Sequence, residues 1–357
     1  MPLTREGTGE YAAYKVHTRR RSRGDQVEFA FKLSIHGQHP GTDFRDLVDL
    51  AVFAEEVGFD GVYVIDHLLL PGSRLSGYTN APADQPYFLD AWVALAAIAQ
   101  ATHRVKVGPQ VTPIGLRHPA LVARAAATLD QVSGGRLLLQ LGAGHQRIEY
   151  ASYGFEFPTL DDRITRLREG IEVIRALWET DGPASYRGEH YLLDEVPFYP
   201  KPVQPRPPIW LGGASARILD LVAELADGWS PAAPQGKGIT PAVFGDALRG
   251  IRSRVTDGRH VTGGALFYTV VDDDPARVEA ALSILRRRAD WADYTVDDFR
   301  DRAIALAGSA GTVADAIQEY AKQGLEHISL AVVPIDDLEL TRATLRRLGE
   351  DVMGRFR

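Results

Sequence analysis

The sequence predicts a (β/α)8 TIM barrel of the α/β class, carrying one insertion. Three observations support this. Eight short apolar runs recur along the chain, most are followed by an amphipathic helical stretch, and no glycine-rich fingerprint follows the first run. Repeated strand-then-helix order makes the strands parallel, joined by right-handed crossovers. An open doubly wound sheet is the competing fold. It calls for a G-x-G-x-x-G turn after strand one, where this chain reads Ser34-Ile35-His36-Gly37-Gln38-His39-Pro40.

Residues 1–26 are polar without a sustained period and read as a flexible arm, with the basic run Arg19-Arg20-Arg21-Ser22-Arg23 as a solvated segment. Residues 27–357 then form a single domain. Residues 29–35 are a strand. Residues 43–57 are a helix, because Phe44, Leu47, Val48, Leu50, Ala51 and Ala54 recur at helical spacing and Gly58 follows as a stop. Strand 61–65, helix 89–101 and strand 104–111 come next. Helix 120–132 is closed by Ser133-Gly134-Gly135 and leads into strand 136–141, followed by helix 160–178. Segment 181–208 breaks the rhythm with seven prolines and reads as the insertion, a hairpin and an extended excursion. Strand 209–211, helix 215–226, strand 228–229, helix 241–255 and strand 265–270 resume the pattern. Helices 275–289, 297–307 and 312–323 precede the last strand, 327–333.

The composition limits the function. Hydrophobic residues are 45% and charged residues 24% of 357, an ordinary globular balance. There is no cysteine, which excludes disulfide scaffolds, zinc ribbons, Fe–S centres and a thiol nucleophile. Redox work would need a bound cofactor. Forty Lys+Arg against 47 Asp+Glu give −7, where a duplex binder shows a basic excess. No apolar run follows the basic arm and none reaches membrane-span length. We therefore expect a soluble cytoplasmic protein acting on a small molecule, without nucleic-acid or membrane partners.

In a parallel barrel the chemistry sits where the strands end. Those positions hold His36 and His39; Asp66-His67; Gln110-Val111-Thr112, with Arg117-His118 nearby; Gly142-Ala143-Gly144-His145; Gly212-Gly213-Ala214-Ser215; and Trp229-Ser230. Two readings of the histidines stay open. His36, His39, His67 and His145 could ligate zinc, with Asp66 the well-placed acid. Alternatively, imidazole serves as acid or base beside an organic cofactor. His67 is favoured for that role, because Asp66 beside it can orient it. Gly212-Gly213-Ala214-Ser215 follows a strand and opens a helix, so it reads either as a phosphate cradle or as a tight β-to-α turn.

Longer motifs add a resemblance. His118-Pro119-Ala120-Leu121-Val122-Ala123-Arg124 through Asp130, Ser133-Gly134-Gly135-Arg136-Leu137 and Leu141-Gly142-Ala143-Gly144 resemble the bacterial luciferase-like flavin/deazaflavin oxidoreductases. So do Gly58-Phe59-Asp60-Gly61 leading to Asp66-His67, Tyr199-Pro200-Lys201-Pro202-Val203-Gln204, Pro208-Ile209-Trp210-Leu211-Gly212-Gly213 and Ala226-Asp227-Gly228-Trp229. The resemblance runs from about Phe29 to about Val333 and implies a barrel with an insertion, usually a homodimer, holding coenzyme F420 or reduced FMN. The Asp-His pair resembles the F420-dependent branch. By that likeness Asp66 contacts the ring or its tail, and His67 is the acid/base near the reacting carbon, with His145 a second proton handler. Gln110-Val111 is a peptide bulge supporting the ring with Thr112 nearby, Gly142, Ala143 and Gly144 lie along it, and Gly212 to Ser215 hold the phosphate.

Two departures stand out. Sugar-phosphate dehydrogenases of this type carry a glutamate where this chain has His145, and an aromatic shortly after the strand-two histidine, where it has Leu68-Leu69-Leu70-Pro71. The implied activity is F420-dependent hydride transfer to or from an organic substrate. The alternatives are a two-component monooxygenase using reduced FMN from a separate reductase, a metal-dependent barrel hydrolase, and a non-catalytic flavin-binding protein. Substrate choice is expected in loops 71–86, 146–160 and 229–240.

Overall fold

A computed structural model describes residues 26–39, 41–70, 79–80, 87–231 and 238–357. The basic arm, and segments 71–78, 81–86 and 232–237 of the loops expected to choose substrate, lie outside the described residues.

The barrel strands are β1 (Glu28–Leu33), β2 (Gly61–Val64), β3 (Lys106–Pro109), β4 (Thr112–Pro113) and β5 (Leu139–Gly142). After the hairpin strands β6 (Ala184–Arg187) and β7 (Leu192–Val196) come β8 (Ile209–Leu211), β9 (Gly228–Trp229), β10 (Thr262–Val271), β11 (Ala305–Gly308) and β12 (His327–Val332). All barrel pairings are parallel, in the order β3-β2-β1-β12-β10-β9-β8-β5-β4, with β11 beside β10. A parallel bridge between Val107 and Leu137 joins β3 to the chain entering β5 and closes the ring.

The helices are α1 (Phe44–Glu56), α2 (Ala91–Ala101), α3 (Pro119–Ser133), α4 (Arg147–Ser152), α5 (Leu160–Glu179), α6 (Ala216–Leu225), α7 (Pro241–Arg254), α8 (Pro275–Leu282), α9 (Val296–Asp301), α10 (Ala310–Ala321) and α11 (Leu338–Arg347). Their starts follow side-chain chemistry. Asp43, Asp90, Ser215 and Ser309 each accept a first-turn backbone N–H, satisfying donors that would otherwise be orphaned. Leu47, Leu50, Ala51 and Ala54 of α1 are buried, the face its spacing predicted.

Several boundaries shift by a few residues from the sequence reading, and three segments change in kind or continuity. Strand 104–111 is interrupted: β3 ends at Pro109, and pairing with β5 begins at Thr112, the Gln110–Val111 peptide between them being cis. Segment 297–307 is not one helix. It turns at Ala303 (φ 54) and becomes β11, because its second half finds an open parallel edge on β10 at Tyr268–Val271. Helix 275–289 gives way to a 3-10 turn after Leu282.

Several motif residues brace the end of the barrel opposite the strand tips. Asp130 accepts from Leu137 N (3.2 Å), Gln204 N (2.9 Å) and Gln204 Nε2 (2.8 Å). The Arg136 guanidinium donates to the carbonyls of Ala99, Thr102 and Val105. Asp227 accepts from Ile209 N (2.9 Å), and Asp60 from Phe29 N (2.8 Å). Gly134 (φ 68) ends α3 in the left-handed conformation, where a side chain would be strained. No helix of the described residues is long and apolar enough to cross a membrane.

Candidate active site

The strand tips bring most of the anticipated residues to one end of the barrel. His67 follows β2 and is nearly buried, its side chain 8% exposed. Its Nδ1 lies 2.8 Å from Oε2 of Glu149, a side chain with no exposed surface. The other Glu149 oxygen accepts from Leu68 N (2.5 Å) and Leu69 N (3.2 Å). The acid that holds His67 is therefore Glu149, not Asp66. Glu149 was missed because α4 is only six residues long and carries no apolar period. The available signal was a carboxylate four residues beyond Gly-x-Gly-His, one helical turn on, beside the aromatic Tyr150.

Asp66 points elsewhere. Its Oδ2 accepts from Thr112 Oγ1 (2.8 Å), Trp92 Nε1 (3.1 Å) and Arg117 Nε (3.1 Å), and its Oδ1 from Arg117 Nη2 (3.1 Å). Arg117 also reaches Asp90 Oδ2 at 2.7 Å. Asp66 and Thr112 thus tie β2, β4 and α2 together behind the site.

His145 is exposed at the tip of β5 and sets its ring edge-to-face on His67, centroids 5.5 Å apart. His36 is buried, stacked on Phe88 at 5.6 Å, and its Nδ1 has no protein partner. Burial holds the His36 pKa well below the usual imidazole value, and the charges of Lys32 and His67 add to this. The other two histidines serve locally. His39 pairs with Asp336 at 3.1 Å, and His118 caps α3 through Nδ1. Among the described residues, no group of three or more His, Cys, Asp or Glu is arranged to hold a metal ion.

Gln110 is buried among Ser230 and Ser329, and Val111 packs against the tips of β5 and β8. Gln110 Nε2 donates to Ser329 Oγ (3.0 Å) and Ser230 Oγ (3.4 Å), while its Oε1 is buried without a partner. Val111 is seated between two glycines. A Cβ on Gly142 would lie 2.8 Å from Val111 Cγ2, and one on Gly212 3.2 Å from Val111 Cγ1. These glycines make room for Val111, a tertiary reason that the turn reading did not contain. Ala143 lines a small cavity with Tyr150, and Gly144 (φ 79) packs against that tyrosine. At β8, Gly213 (φ 104) and Ala214 are exposed, and Ser215 caps α6 by accepting from Ile218 N (3.4 Å). That bond uses a Ser215 lone pair and leaves its hydroxyl proton to donate.

The comparisons with known proteins agree with this architecture. An F420-dependent glucose-6-phosphate dehydrogenase from Amycolatopsis mediterranei (strain U-32) is 38% identical over 186 residues, 52% of each chain. The match therefore spans about half of that relative. A protein of the same description from Kineococcus radiotolerans is 29% identical over 330 residues, 85% of this chain and 91% of the relative. The solved structure of an F420-dependent secondary alcohol dehydrogenase with an F420-acetone adduct superposes with a TM-score of 0.75 at 22% identity, over 93% of this chain and 99% of the other. The pattern of the family described as luciferase-like monooxygenase matches residues 27–327, the whole ring from β1 into β12, and the chain belongs to that family.

Proposed function

We propose that this protein is an F420-dependent oxidoreductase acting on a small organic substrate, with His67 moving the proton that accompanies hydride transfer. The observation that carries the reading is His67 itself, an imidazole held by a buried carboxylate at the barrel mouth. The relatives described as F420-dependent support the cofactor. When bound, the deazaflavin supplies hydride chemistry at its C5.

The residues at the strand tips fit such a group. Gln110 Oε1 and His36 Nδ1 are buried here without protein partners, as the polar edge of a bound ring would require. Val111 offers an apolar surface between two glycines for a flat ring to rest against. Gly213, Ala214 and Ser215 would receive the phosphate at the start of α6, where free N–H groups and the helix dipole favour an anion. His145 flanks His67 on the open side and is the second proton handler. Asp66 stays behind the ring, holding Thr112 in place.

The test is titration of the pure protein with F420 and FMN in parallel, followed by turnover of the His67→Ala variant. We expect F420 to bind in the micromolar range and the variant to keep that affinity. Its turnover should fall by about 10²–10⁴-fold, the usual worth of a positioned acid or base. FMN binding without F420 binding would overturn the cofactor, and unchanged turnover would remove His67.

A further inference from the structure

We propose that Glu149 is a positioning residue: it fixes the tautomer of His67 so that Nε2 is the nitrogen that takes the substrate's proton. This rests on the reading of His67 given above. The argument begins with donors and acceptors. Leu68 N and Leu69 N can only donate, and both are directed at Glu149 Oε1. That oxygen is fully used as an acceptor. Oε2 faces His67 Nδ1 at 2.8 Å. Glu149 has no exposed surface, and a buried carboxylate is tolerated when its oxygens receive hydrogen bonds. The arrangement is satisfied when the carboxylate is ionised and Nδ1 carries a proton, which places the lone pair of the neutral ring on Nε2.

A proton taken up at Nε2 turns the ring into an imidazolium 2.8 Å from a carboxylate, so the developing charge is met by one already in place. Nε2 would take the proton of a substrate hydroxyl in the oxidative direction, and the deazaflavin, when bound, would supply the acceptor for the accompanying hydride. The reverse direction returns the proton from Nε2 to the carbonyl oxygen.

Glu149 also fixes where the ring sits, because one carboxylate spans the imidazole and the next two amides of the chain, locking the first turn after β2 to α4. The titratable groups around this pair include His36 from the β1 tip, His145 from the β5 tip, Asp66 on the same turn as His67, Tyr150 beside Glu149 on α4, and Tyr153, whose hydroxyl donates to Leu68 O. None of them stands where it could replace the Nδ1 acceptor: His36 stacks on Phe88, His145 meets the ring by its edge, and Asp66 is occupied by Thr112, Trp92 and Arg117.

The test uses full-length protein labelled with ¹⁵N-histidine, His67 being assigned by the signal lost in His67→Gln. In the unmodified protein at pH 8, we expect the His67 shifts to report a protonated Nδ1 and a bare Nε2. Glu149→Gln keeps an oxygen for the two amides but presents an NH₂ to Nδ1, so the ring should switch to the Nε2–H tautomer. With 2-propanol as the probe alcohol, its kcat should fall by about 10²–10⁴-fold, with F420 affinity within threefold and KM little changed. Glu149→Asp should recover part of the kcat and return the original tautomer. A bare Nδ1 in the unmodified protein, or Glu149→Gln turning over within twofold of it, overturns the proposal. Protein that neither binds nor turns over F420 overturns the cofactor reading instead, and the nitrogen shifts then still decide the assignment of Glu149.

Discussion

Replacing Asp66 with Asn separates two roles for this residue, contact with a bound ring and bracing of the barrel wall. Asp66 is 5% exposed and accepts four hydrogen bonds on two oxygens, two of them from Arg117. An Asn amide has one oxygen. If that oxygen takes the three donors now on Oδ2, its NH₂ faces Arg117 Nη2, donor against donor. One charge-assisted bond is lost, worth about 1.5–3 kcal/mol. The Arg117 cation keeps only Asp90, whose side chain is 42% exposed. Breaking a fully buried ion pair costs about 3–5 kcal/mol. Arg117 is 27% exposed, so solvent screening lowers that figure and we expect a loss of about 2–4 kcal/mol. Urea unfolding followed by circular dichroism, at fixed m-value, measures it. A cycle with Arg117→Met should return a coupling of about 1–3 kcal/mol. F420 titration of the same variant should give an affinity within threefold of the parent. A stability loss under about 1 kcal/mol together with a tenfold loss of F420 affinity would refute the argument. Asp66 would then be spent on the cofactor, as the family resemblance implied.

His327 faces Tyr63 at 3.2 Å inside the barrel, and burial, the largest influence, pushes its pKa down to about 4. The folded state therefore resists a proton that the unfolded chain accepts near pH 6.5. This stability is fully present above pH 6.5 and is lost as pH falls toward 4, at about 1.4 kcal/mol per pH unit. Between pH 7 and pH 5 the parent should lose about 2 kcal/mol more than His327→Gln, and parallel unfolding midpoints across that range would contradict this. Gly142→Ala brings a Cβ to 2.8 Å from Val111 Cγ2 and should cost about 1–3 kcal/mol by overpacking. Adding Val111→Ala should recover most of the loss, and a single variant that melts with the parent would show that the two side chains do not compete.

How much of this was legible depended on the range of the interaction. The β/α alternation, eight of the barrel's strand runs and the α1 core face are local patterns, and the sequence carried them. Segment 303–307, Ala-Ile-Ala-Leu-Ala, fits a helix as well as a strand, and only the open edge of β10 made it β11. His67, His145 and the Gly-x-Gly tips were found because strand ends can be counted.

The partners of the site residues could not be counted. Asp66 stands next to His67 in the chain, yet its carboxylate is taken by Thr112, Trp92 and Arg117. Glu149, 82 residues away from His67, supplies the acid instead. The motifs that give the family away, such as Asp130 with Gln204 and Arg136 with its carbonyls, are bracing contacts away from the strand tips. Family and fold were therefore written in the sequence by itself, because repeated local periods and fixed turns encode them. The tertiary structure alone decided which carboxylate pairs with His67, because hydrogen-bond partners and burial arise only when distant strand tips meet at one end of the barrel.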